Sequence, residues 1–133
     1  MTAKEYLSRV RGLDAEIKQL LRIRQRAWEQ VTRTTSQLSK APAHGGDRQD
    51  PLTSYVHYSE LLEARTAELL EVQRETLCTI EQVQDSRYRR LLRARYLEGM
   101  TWEQIAVRMG YSWRQVVRMH GDALNEVDGI MLS

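Results

Sequence analysis

The sequence predicts an all-α fold: a long helical hairpin or coiled-coil arm, followed by a C-terminal group of short helices. Three observations carry this. The 133 residues include 2 Pro and 7 Gly against 41% apolar and 29% charged residues, a composition suited to a folded, helix-rich chain rather than a disordered one. Apolar residues recur in alternating steps of four and three along the first part of the chain. Beyond position 85, helix-capping residues and glycines divide the sequence into short segments.

From about Ala3 to Thr35, the apolar residues Tyr6, Val10, Leu13, Ile17, Leu20, Ala27 and Val31 mark a heptad seam broken once, at Arg24, with Lys and Arg on the other faces. One long helix is expected, with Thr2 and Glu5 spaced as an N-terminal capping box. Residues 36–53 hold both prolines and a Gly-Gly pair with almost nothing to bury, and read as a flexible connector. From about Thr53 to Val83 a second helix runs through Tyr58, Leu61, Leu62, Leu69, Leu70, Leu77, Ile80 and Val83 on an acidic background. Its Arg65 and Arg74 read as surface ion pairs. A basic and an acidic helix of similar length either fold back as an antiparallel hairpin or pair with a second copy. A lone hairpin exposes apolar surface, so residues 1–85 are expected to form an arm that makes a homo-oligomer.

Gln84-Asp85-Ser86 interrupts the pattern, and Asp85 or Ser86 caps a third helix from Arg87 to near Glu98, with Gly99 in the left-handed position after it. Thr101 with Gln104 opens a fourth helix, from Trp102 to about Met109. Gly110-Tyr111-Ser112 is a turn, and Ser112 caps a fifth helix that continues past Gly121 towards Val127. Gly129 to Ser133 should fray unless Ile130-Met131-Leu132 finds a partner. Two short helices joined by a three-residue turn containing Gly make a helix-turn-helix, so residues 86–133 read as a three-helix helix-turn-helix domain. Ile105, Ala106 and Met109 should face Val116 with Val117 or Met119, and Tyr96, Trp102 and Tyr111 should join this core.

The net charge of +2 is unevenly spread: +4 over residues 1–50, −5 over 51–85 and +3 over 86–133. Within 86–121, eight arginines face only Glu98 and Glu103, the footprint of a polyanion-binding surface. Trp113, Arg114, Gln115 and Arg118 open the fifth helix, where a recognition helix presents side chains to base edges: Arg to guanine, Gln to adenine. Trp113 either stacks on a sugar or thymine methyl or packs against the arm. Arg87, Arg89, Arg90, Arg93 and Ser112 are the expected phosphate contacts.

The stretch from Tyr88 to Leu124, with Glu103-Gln-Ile-Ala and Ser112-Trp-Arg-Gln, resembles region 4 of bacterial sigma factors. The resemblance implies that Glu103 to Ala106 start the scaffold helix and that the residues after Ser112 enter the major groove of promoter DNA. The whole arrangement looks like a group of small phage and prophage proteins of Gram-positive bacteria. What this implies is a transcriptional regulator, a late-gene activator working with host RNA polymerase in the bacterial cytoplasm; with no counterpart of sigma region 2, a complete sigma factor is not expected. Two other readings compete: a small terminase subunit binding packaging DNA, and a module that docks on RNA polymerase without binding DNA.

No enzyme, cofactor or metal site is expected. His44, His57 and His120 lie in different elements without metal-ligand spacing, and no Gly-rich phosphate cradle occurs. Cys78 is expected to fill an apolar helical position in a reducing compartment. No apolar run is long enough to cross a bilayer or form a signal peptide, which points to the cytoplasm.

Overall fold

A computed structural model describes residues 1–36 and 50–133, and these residues are all-α, with no strand among them. The elements are α1 (Ala3–Leu7), α2 (Arg9–Ser36), α3 (Pro51–Glu81), α4 (Ser86–Leu92) running on into a π-helical turn (Arg93–Leu97), α5 (Trp102–Met109) and α6 (Trp113–Met131). They form two units, one joining Met1–Leu13 to Leu69–Ser133 and the other spanning Asp14–Glu68. None of the helices of the described residues is long and apolar enough to cross a membrane.

The first long helix is interrupted where the sequence pattern predicts continuity. Thr2 and Glu5 form the expected capping box, but α1 ends at Ser8. At the break the Arg9 Nε donates to the Tyr6 carbonyl at 3.0 Å, the group that an unbroken helix offers to the Val10 amide. The same guanidinium lies 4.2 Å from the Tyr6 ring centroid and pairs with Glu75 at 3.1 Å. Most of the expected connector, residues 37–49, lies outside the described residues. Its far end is helical rather than connecting: Asp50 Oδ1 accepts from the Leu52 amide at 3.2 Å and Pro51 takes the first helical position, where a missing N–H costs nothing.

Within Asp14–Glu68 the two long helices run antiparallel in one chain. Trp28 and Tyr55 rings sit 5.1 Å apart, and Arg65 donates to Glu16 at 2.9 Å. Arg24 keeps its seam position, half-buried, with its guanidinium 5.8 Å from the Tyr55 ring centroid. The seam of α3 differs from the expected one. It runs through Tyr55, Tyr58, Leu62, Arg65, Leu69, Val72, Thr76, Thr79 and Val83, whose regular four-three steps are masked by an Arg and two Thr. Leu70 and Leu77, expected in the seam, are exposed. So is Cys78, expected in an apolar position: it lies outside the stripe that Thr76 and Thr79 occupy.

The other unit has one apolar core, built from Ala3 and Leu7 of α1, Ile80 of α3, Val83, Leu91 and Leu92 of α4, Tyr96, Ile105 and Ala106 of α5, and Val116, Ala123 and Val127 of α6. The Ala3 amide donates to Asp128 Oδ1 at 3.0 Å, tying the start of the chain to the end of α6. Ile130 and Met131, expected to fray unless they find a partner, pack on this core, so α6 continues to Met131.

Candidate nucleic-acid interface

Each helix around the turn begins with the chemistry its sequence predicts. Asp85 caps α4 by accepting from the Arg87 amide at 2.9 Å. The helix then departs from the expected regular form, because the Glu98 amide bonds to the Arg93 carbonyl at 2.9 Å and makes the last turn π-helical. Gly99 follows at φ +72°, as expected. Thr101 and Gln104 close a capping box on α5, and Gly110, at φ +73°, ends it. Ser112 caps α6 through a second box: its Oγ accepts from the Gln115 amide at 3.2 Å, and Gln115 Oε1 accepts from the Ser112 amide at 2.9 Å.

The core of the helix-turn-helix follows the predicted pairing. Ile105, Ala106 and Val116 are buried, Met109 and Met119 half-buried, and Val117 lies on the exposed side. Tyr96 is buried, with Trp102 and Tyr111 half-buried around the same core. The inward stripe of α6 is therefore Val116, Met119, His120, Ala123 and Val127. Its outward stripe carries Arg114 and Arg118 one turn apart, with Trp113, 55% exposed, at the first position.

The arginines divide into two sets. Arg89 donates to the carbonyls of Val83 and Gln84 at 2.7 and 2.8 Å, closing the end of α3 rather than facing solvent. Arg93 pairs with Glu81, Arg108 with Glu98 at 3.0 Å, and Arg95 donates to the Met100 carbonyl while lying 4.4 Å from the Trp102 ring centroid. Arg87 pairs with Asp85 at 2.9 Å, and that hydrogen bond foremost holds its pKa above the ordinary value. Arg90, Arg114 and Arg118 are exposed and have no ion pair or hydrogen bond among the described residues. Of the expected phosphate contacts, Arg87, Arg90 and Ser112 are thus exposed, Arg90 without a partner among the described residues, while Arg89 and Arg93 are engaged within the fold.

The sequence offers His120 only as a residue without metal-ligand spacing, yet it fastens α6 to its neighbours. Its Nε2 lies 2.6 Å from Tyr96 Oη, and its ring packs 4.5 Å from Trp102. Burial foremost, then the charges of Lys4 and Arg95, lower its pKa to about 4. Helical spacing was the available signal, since His120 falls four residues after Val116 on the inward stripe.

Residues 32–128 match the protein family described as "Protein of unknown function (DUF1492)". No curated protein and no solved structure matches the chain.

Proposed function

The chain belongs to the DUF1492 family, whose function is unknown, and we propose from its own residues that it is a sequence-specific regulator of transcription that binds duplex DNA. The observation that carries this is the start of α6, where a capped helix after a glycine turn presents Trp113, Arg114, Gln115 and Arg118 to solvent. The resemblance of residues 88–124 to sigma region 4 supports a phage or prophage activator acting with host RNA polymerase in the bacterial cytoplasm.

In this reading the arginines act in two ways. Arg90 and Arg87 release counterions from phosphates and give affinity for any sequence, while Arg114 and Arg118 discriminate bases by about 1–3 kcal/mol for each good bidentate contact. Gln115 also serves the capping box: its Oε1 accepts from the Ser112 amide and keeps a second lone pair, so with its NH₂ group it can pair bidentately with adenine while the box stays closed. Ser112 Oγ accepts from the helix and keeps its own proton for a phosphate.

A second reading, docking of the same module on RNA polymerase, is favoured by Val107, an apolar side chain left exposed on α5 beside Met100. One experiment separates the two: binding of the chain to phage and host genomic fragments across a salt series, for wild type, Arg114→Ala and Arg90→Ala. DNA recognition predicts that Arg114→Ala relaxes sequence selection, while Arg90→Ala weakens all fragments alike and reduces the salt slope by about one. Absence of binding above background at low salt overturns it in favour of polymerase docking.

A further inference from the structure

Among the described residues of the unit Asp14–Glu68, one side carries exposed apolar side chains. Leu21 and Trp28 of α2 and Leu52 and Val56 of α3 are 43–50% exposed. They share a side because each lies just off the buried seam in the same sense. Leu21 and Trp28 directly follow Leu20 and Ala27, while Leu52 and Val56 flank Tyr55, whose ring meets that of Trp28. The groove lined by Ile23, Pro51 and Tyr58 marks the opposite side.

Charge is distributed across the uncovered side in a self-complementary way. Arg22 on α2 and Glu60 and Glu63 on α3 are exposed with no ion pair among the described residues, and Lys18 on α2 has only an exposed pair with Asp14 at 2.9 Å. The basic groups therefore edge the Leu21 and Trp28 helix, and the acidic groups edge the Val56 helix. The contacts of Trp28 with Tyr55 and of Glu16 with Arg65 set the register, which puts Arg22 level with Glu60 and Lys18 level with Glu63.

We propose that this side pairs with the same side of a second copy of the chain, related by a two-fold axis along the helices. In that arrangement α2 of each copy packs antiparallel to α3 of the other. Trp28 of one copy covers Leu52 and Val56 of the other, and Arg22 and Lys18 meet Glu60 and Glu63. The opposite two-fold, which sets α2 against α2, brings Arg22 and Lys18 against like charge and is disfavoured. The pairing completes a four-helix bundle and removes the apolar surface a lone hairpin exposes.

The inference does not rest on DNA binding, and its test uses the full chain without DNA: sedimentation velocity over a wide concentration range. Wild type is expected as two copies. Arg22→Glu and Glu60→Arg should each raise the dimer dissociation constant about tenfold or more, and the double reversal should restore it. Val56→Glu should abolish pairing, with far-UV circular dichroism reporting whether the helices persist. A single-chain mass at all concentrations overturns the proposal. So does an assembly larger than two, or a dimer that the single reversals leave unchanged.

Discussion

At the scale of single residues, His120 makes folding sensitive to acid. Its folded pKa of about 4 lies below the 6.5 of an exposed imidazole, so the fold favours the neutral ring. Between those values the unfolded chain binds a proton that the folded chain does not. His120 therefore costs no stability above about pH 6.5, and stability falls as pH drops towards 4, by on the order of 2 kcal/mol once partial solvent screening is allowed for. Lys4 and Arg95 are the charged groups that face it, and both disfavour protonation. Urea denaturation of wild type and His120→Leu between pH 7 and pH 5 checks this: wild type should lose more stability than the variant as pH falls, and parallel curves refute it. The sequence marks His120 as inward by spacing alone. That its partner is the Tyr96 hydroxyl depends on the π-helical turn, whose i to i−5 bond at Glu98 has no local signature.

At the scale of elements, the two glycines near the turn should respond oppositely to alanine. Gly110 holds φ +73° with nothing within 4 Å of an added Cβ, so Gly110→Ala meets only the left-handed backbone penalty, about 1–2 kcal/mol of destabilisation. Gly121 is helical with equally open space, so Gly121→Ala should stabilise by about 0.5–1 kcal/mol through the smaller entropy of the unfolded chain. Chemical denaturation of both variants measures the contrast. Caps of this kind were legible in the sequence because a cap is a local event: one side chain, one amide and a spacing of three. The seam of α3 was not, because Arg65, Thr76 and Thr79 occupy inward positions. Arg65 does so through its bond to Glu16 on the other helix, and Thr79 through the Tyr6 hydroxyl at 3.0 Å.

At the scale of the whole molecule, the helix-turn-helix shares its core with the first residues of the chain. Ala3 and Leu7 are buried among α4, α5 and α6 residues, and the Ala3 amide bonds Asp128. Leu7→Ala should therefore destabilise the helix-turn-helix by about 2–4 kcal/mol, although Leu7 lies some eighty residues before the module begins. Hydrogen exchange is the measurement: protection in α5 and α6 should fall together in this variant. Unchanged protection there would mean that α1 does not support the module.

Features that depend on neighbours in the chain were legible from the residues alone. Helix type follows from the apolar period, helix starts from Thr2, Thr101 and Ser112, helix stops from Gly99 and Gly110, and the outward stripe of α6 from its spacing, while the choice of Asp85 over Ser86 as the cap of α4 came from the structure. Which charges remain available depended on the packing of the helices. Arg89 and Arg90 are adjacent and chemically identical, yet one closes the end of α3 on two carbonyls and the other is exposed. The packing also decided that the two ends of the chain share one core. The physical reason is that charge pairing and burial are settled by distance in space, and residues brought together from remote parts of the sequence leave no period or spacing to read.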